Sequence, residues 1–207
     1  MSSTNPGSTL ESLADTLSRH GLSARKSLGQ HFLLDPNLCA KIARAAAPVD
    51  QVTVLEVGPG PGGLTRALLA AGARHIVAVE RDPRCVAALA ELARAWPERL
   101  EIITADALKV AVDKRLSGPV KIVANLPYNV GTKLLIRWLA APGRYVSLTL
   151  MFQKEVAARL TATPGTKDYG RLSILAQWRC ETLRLFDVSA KAFTPPPKVT
   201  STVIQLI

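Results

Sequence analysis

Asn125-Leu126-Pro127-Tyr128 is the tetrapeptide in this chain with the most chemistry to offer. The exocyclic amino group of a purine is a poor nucleophile, because its lone pair is delocalised into the ring. Two acceptors that hold its hydrogens favour a pyramidal, more nucleophilic nitrogen. Asn125 brings a side-chain carbonyl and Leu126 a backbone carbonyl. Pro127 fixes the turn that splays them, and Tyr128 brings a face on which a base can stack. In isolation, four such residues are more often a plain turn with a buried tyrosine. Three features upstream move the balance. Gly58, Gly60 and Gly63 lie in GPGPGG, where glycine permits a sharp turn and close approach of a ligand to the backbone. Glu80 stands 22 residues after Gly58, where a carboxylate accepts the hydroxyls of a ribose. Asp106 can accept a hydrogen bond from an adenine amino group, although an aspartate after a strand is usually a turn residue. Pro59 and Pro61 stiffen the glycine loop and remove two N–H donors, which suits an adenosyl-amino acid better than a pyrophosphate.

The elements that must position these residues follow from hydrophobic period. VTVLEV (52–57), HIVAVE (75–80), LEIITA (100–105) and VKIVAN (120–125) are short apolar runs, as expected of strands covered on both faces. YVSLTLMF (145–152) is a fifth. Helical spacing falls between them, in LTRALLAAG, in 83–95, in LLIRWLA (134–140), in QKEVAARL and in RLSILAQWRC. TLRLFDV and TSTVIQLI close the chain as strands. Ahead of all this, Leu10, Leu13, Ala14 and Leu17 recur at helical spacing up to Gly21, and Asp35-Pro36-Asn37 opens a helix that ends before Pro48. Strand and helix in alternation predict an α/β, mainly parallel, doubly wound sheet. Gly58, Glu80, Asp106 and Asn125 would then share one edge of it.

The 207 residues suit one domain, and 48% hydrophobic content is enough for a core, which excludes a disordered chain. No apolar run reaches the ~18 residues that span a bilayer. The start lacks the basic-then-apolar order of a secretory signal. Cys39, Cys85 and Cys180 are far apart and odd in number, and the three histidines do not join them. A disulfide framework and a metal site are therefore not expected, and a cytoplasmic, reducing setting is. The net charge of +10 points to a polyanionic partner. It is spread as +1 over residues 1–50, +5 over 51–150 and +4 over 151–207, so it is no basic tail.

KSLGQHFLLD (26–35), EVGPGPGGLT (56–65), NLPYN (125–129), MFQKEVAARL (151–160), PGTKDYGRLS (164–173) and FTPPPKVTSTV (193–203), with Glu80 and Asp106-Ala107 between, resemble the ribosomal RNA adenine dimethyltransferases. The likeness runs from about residue 10 to the end. It implies a Rossmann-like methyltransferase fold, a seven-stranded mainly parallel sheet with one reversed strand. It implies S-adenosylmethionine as cofactor and small-subunit rRNA as partner, with two adjacent adenosines near the 3′ end dimethylated at N6 by a monomer during ribosome biogenesis. Residues 1–50 become a helical, basic segment closing over the cofactor site, and 51–207 the methyltransferase domain. The small helical C-terminal domain usual in the family is expected to be missing.

By position, the resemblance assigns Gln30, His31 and Leu33 to the methionine and adenosyl side of the cofactor and Gly58 and Gly60 to its amino-acid part. Glu80 takes the ribose, and Asp106 with Ala107 the adenine. Asn125, Leu126, Pro127 and Tyr128 present the target base, Asn125 touching the cofactor as well, and Phe193 covers the base's other face; the residue pattern alone makes Phe193 a hydrophobic plug. Two rivals remain: the large-subunit rRNA methyltransferases of antibiotic resistance, and an RNA-binding assembly factor without catalysis. A nicotinamide-dependent oxidoreductase is weaker, since no Tyr-x-x-x-Lys acid is present.

Overall fold

The computed structural model describes residues 11–25, 28–112 and 115–207. Leu10 and Lys26 lie outside them. Seven strands form the main sheet: β2 (Thr53–Val57), β3 (His75–Glu80), β4 (Leu100–Thr104), β5 (Val120–Asn125), β6 (Ser147–Gln153), β7 (Thr182–Val188) and β9 (Ser201–Leu206). Their order is β4-β3-β2-β5-β6-β9-β7. Only β9 is reversed, antiparallel to β6 on one side and to β7 on the other. The expected sheet is present. Its central strands are buried along nearly their whole length, which is why their sequences read as unbroken apolar runs.

The helices are α1 (Leu13–Arg19), α2 (Pro36–Ala45), α3 (Gly63–Ala70), α4 (Pro83–Ala95), α5 (Gly131–Leu139), α6 (Lys154–Leu160) and α7 (Arg171–Arg179). Two begin alike. Asp35 accepts from the N–H groups of Asn37 and Leu38, and Asp82 from that of Arg84, each with proline next in the helix. The chain passes from β2 to β3 and β4 on one side, then returns to lay β5 on the other side of β2. The switch between β2 and β5 opens a crevice at the carboxyl ends of the strands. The loops after β2 and β5 meet there.

One pairing is not visible in the sequence. β1 (Phe32–Leu33) pairs antiparallel with β8 (Phe193–Thr194), Leu33 facing Phe193. A two-residue strand has no period to detect. Elsewhere α5 starts three residues before the expected 134, and β6 begins at Ser147 rather than at Tyr145.

Residues 11–25 and 28–34 are bound to the main body by several contacts. Arg19 donates to Glu91 of α4 at 2.7 Å, and the His20 ring lies 3.0 Å from the same carboxylate. Arg66 of α3 donates to the Glu11 carbonyl. Leu22 and Phe32 bury themselves with Cys85 and Ala88. At Gly63 a Cβ would stand 2.5 Å from the Leu33 carbonyl oxygen, so only glycine lets β1 lie against the first turn of α3.

Candidate active site

The carboxyl ends of β2, β3, β4 and β5 surround a cleft of about 980 Å³, open solvent at its mouth included. It is lined by Gln30, His31, Leu33, Gly58, Gly60, Glu80, Asp106, Ala107, Asn125, Leu126, Pro127 and Tyr128, so all but one of the residues singled out in the sequence meet in it.

Glu80 ends β3 and is 5% exposed. Its Oε1 accepts from the N–H groups of Arg81 and Asp82 at 2.7 and 2.8 Å, and its Oε2 from Gly60 at 3.1 Å. Burial pushes its pKa up and these three amides oppose the rise. One lone pair of Oε2 is left for a ligand hydroxyl. Gly58 turns at φ +69°, and a Cβ there would stand 3.3 Å from Pro127 Cδ. The glycine therefore lets the loop after β2 touch the loop after β5. Asp106 caps its own loop through the Leu108 N–H at 3.0 Å and lies 3.7 Å from Arg81. Arg137, reaching over from α5, donates to the carbonyls of Ala107 and Val110 and braces that loop.

On the opposite flank, Asn125 Nδ2 donates to the His31 carbonyl at 3.3 Å. Among the described residues its Oδ1 takes no hydrogen bond, so it can still accept one. The Tyr128 ring is half-buried and meets the His31 ring at 5.4 Å between centroids. The His31 Nδ1 in turn lies 2.8 Å from the Pro195 carbonyl. Gln30 reaches both ways: its Oε1 accepts from the Arg25 N–H, and its Nε2 donates to Asp82 at 3.0 Å.

Phe193 requires a correction. It does not line the cleft. It is 3% exposed and belongs to the buried cluster that holds Leu33, Ile42, Met151 and Val203. The β1–β8 ladder sets it opposite Leu33, and the apolar side chain stays with the core rather than with water. The ring beside Tyr128 is that of His31.

The sequence reading also missed Glu56. It lies on β2, is 1% exposed, lines the cleft, and accepts from the Thr65 hydroxyl at 2.7 Å. Burial, with the nearby charge of Glu80, pushes its pKa up to about 8. An acidic residue just ahead of the glycine loop was the available signal. Among the described residues, the cleft of a chain with net charge +10 is thus lined by three carboxyl groups: Glu56, Glu80 and Asp106. Acceptors of this kind suit a ligand carrying hydroxyls, an amino group and positive charge. They oppose a pyrophosphate. S-adenosylmethionine, with its ribose diol, adenine amine, ammonium and sulfonium, fits that donor set.

A family model described as ribosomal RNA adenine dimethylase matches residues 21–207. The chain belongs to the ribosomal RNA adenine dimethylase family. Among its dimethylase relatives, the ribosomal RNA small subunit methyltransferase A of Rhodospirillum rubrum is 58% identical over 201 residues, which cover 97% of this chain and 70% of that protein. Two solved structures extend the likeness. A dimethyladenosine transferase from Plasmodium falciparum aligns with TM-score 0.76 at 30% identity, covering 86% of this chain and 63% of its own. The 23S rRNA methyltransferase ErmE aligns with TM-score 0.73 at 31% identity, covering 84% and 68%.

Proposed function

We propose that this chain dimethylates N6 of two adjacent adenosines near the 3′ end of small-subunit rRNA, with S-adenosylmethionine as methyl donor, and so contributes to ribosome biogenesis. The observation that carries the reading is the junction in one cleft of a carboxylate flank, Glu80 with Asp106, and the Asn125-to-Tyr128 flank. When bound, S-adenosylmethionine supplies a methyl group on a positively charged sulfur. Glu80 would take the ribose, Asp106 and the Ala107 backbone the adenine, and Gly58, Gly60 and Glu56 the amino-acid end. Gln30, His31 and Leu33, on the segment 1–50, would close that side.

Asn125 Oδ1 and the Leu126 carbonyl would hold the two hydrogens of the target amine, turning its lone pair out of the ring and toward the methyl group. Pro127 keeps these acceptors apart, and Tyr128 stacks on the base once it has left its helix or come from a single strand. Attack at a cationic centre leaves the amine acidic, so no side chain has to act as a strong base. Phe193 would serve this reading as a core residue only. We place the protein in the cytoplasm, acting as a monomer on small ribosomal subunits, with its net charge of +10 favouring contact with phosphates.

Identity of 58% to a small-subunit enzyme against 31% to ErmE favours the small subunit over the large. The intact Asn125-to-Tyr128 motif favours catalysis over a purely structural assembly role. Primer extension on both rRNAs, after incubation with unmethylated subunits and S-adenosylmethionine, tests the proposal. Stops at two neighbouring adenines of the small-subunit rRNA are expected. Stops in large-subunit rRNA would favour the resistance branch, and none in either would end the enzymatic reading.

A further inference from the structure

Ser201 belongs to none of the groups used so far. It opens β9, is fully buried, and pairs with Gln153 of β6 on one side and Val188 of β7 on the other. Its Oγ lies 2.6 Å from the Tyr128 hydroxyl, a short bond between residues 73 apart in sequence. The tyrosine has no other tether at that end among the described residues. The phenol oxygen swings with the first side-chain torsion, so a bond to it fixes where the ring points, and contacts on the ring face must fix its turn about that axis. His31 braces the ring, and Ser201 fixes its tip to a strand that is itself hydrogen-bonded along both edges.

We propose that Ser201 is a positioning residue for methyl transfer: its hydroxyl, held in the strand between β6 and β7, fixes the Tyr128 phenol and thereby the position of the ring on which the target adenine stacks. The inference rests on the reading of Tyr128 given above. A base stacked on a ring that has lost its tether still binds, because the aromatic face remains. It presents its amine at the wrong angle, and reaction is sensitive to displacements of about 1 Å. The loss should therefore fall on kcat and spare KM.

The test compares Ser201→Ala, Tyr128→Phe, the double variant and Tyr128→Ala on unmethylated small ribosomal subunits. Affinity for S-adenosylmethionine and melting temperature are followed alongside. Ser201→Ala is expected to lower kcat by roughly fivefold to tenfold, the scale of one lost hydrogen bond, with cofactor affinity and KM for subunits unchanged. Tyr128→Phe cuts the same bond from its other end and should match it. The double variant should be no slower than either single one, since the bond can be broken only once. Additive losses in the double variant would overturn the proposal. So would a normal kcat for Ser201→Ala while Tyr128→Ala is impaired, and the functional reading would then stand. Normal transfer by Tyr128→Ala would instead remove the functional reading itself. Should Ser201→Ala fail to fold, Tyr128→Phe still breaks the bond, and an unchanged kcat there would overturn the proposal.

Discussion

The two flanks of the cleft are built on different plans. On the flank made by the loops after β2, β3 and β4, acidic side chains are held by close neighbours. Glu80 takes the amides of Arg81 and Asp82 as well as that of Gly60, and Asp106 takes the amide of Leu108. On the flank after β5, the partners are remote. Asn125 reaches the His31 carbonyl and Tyr128 reaches Ser201, across 94 and 73 residues. The local plan gives rigid acceptors, suited to a ligand of one fixed shape. The remote plan ties Asn125 and Tyr128 to two other parts of the fold, so that a substitution can loosen them without emptying the first flank.

That contrast can be broken in order of expected effect. Asn125→Ala removes an acceptor that matters only as the amine reacts. Methyl transfer should fall by about 10²-fold to 10³-fold while S-adenosylmethionine affinity, measured by calorimetry, stays nearly the same. Collapse of cofactor affinity with a normal rate at saturation would put Asn125 on the other flank. Glu80→Ala should do the reverse, weakening S-adenosylmethionine binding by about 1–3 kcal/mol. An unchanged dissociation constant would take Glu80 out of the cofactor site.

Glu56 sharpens the same flank through pH. Its folded pKa, about 8, stands above the ordinary carboxylate value of 4.5. A raised carboxyl favours the folded state below the unfolded pKa, and that advantage is lost as pH rises through the folded one. In the ligand-free protein, the melting temperature of Glu56→Gln relative to the unsubstituted chain should climb between pH 5 and 9 and level off above that range. A constant difference would mean that Glu56 is ionised throughout. Arg137→Ala should give the smallest effect. It leaves every cleft side chain in place and takes hydrogen bonds from the carbonyls of Ala107, Leu108 and Val110. A loss in cofactor affinity of about twofold to tenfold is expected, with catalysis at saturation preserved.

The same division decides what was legible in the sequence. The central strands could be read because burial on both faces makes their apolar runs continuous. Glu80 and the glycine loop could be read because strand, turn and helix adjoin in the chain, and Asp35 because a cap lies next to the helix it starts. Phe193 could not be placed. Its burial depends on pairing with Leu33, 160 residues earlier, and no local pattern announces a two-residue strand. Ser201 was invisible for the same reason, being one hydroxyl in a strand of ordinary composition. Glu56 was an omission of a different kind: its neighbours were read, but a carboxyl inside an apolar strand gave no sign of Thr65 as its partner.

The position of β9 has a consequence for timing. Of the sheet's seven strands it comes last in chain order, yet it lies inside the sheet, between β6 and β7. Synthesis up to residue 200 leaves β6 and β7 without their shared neighbour, two open edges prone to pair with other chains. Until residues 201–206 arrive, the Tyr128 hydroxyl also lacks Ser201. A chain still being translated thus cannot hold the Tyr128 ring in its final pose, and, on the proposed role of that ring, competence for methyl transfer should appear abruptly, with the closing of the sheet.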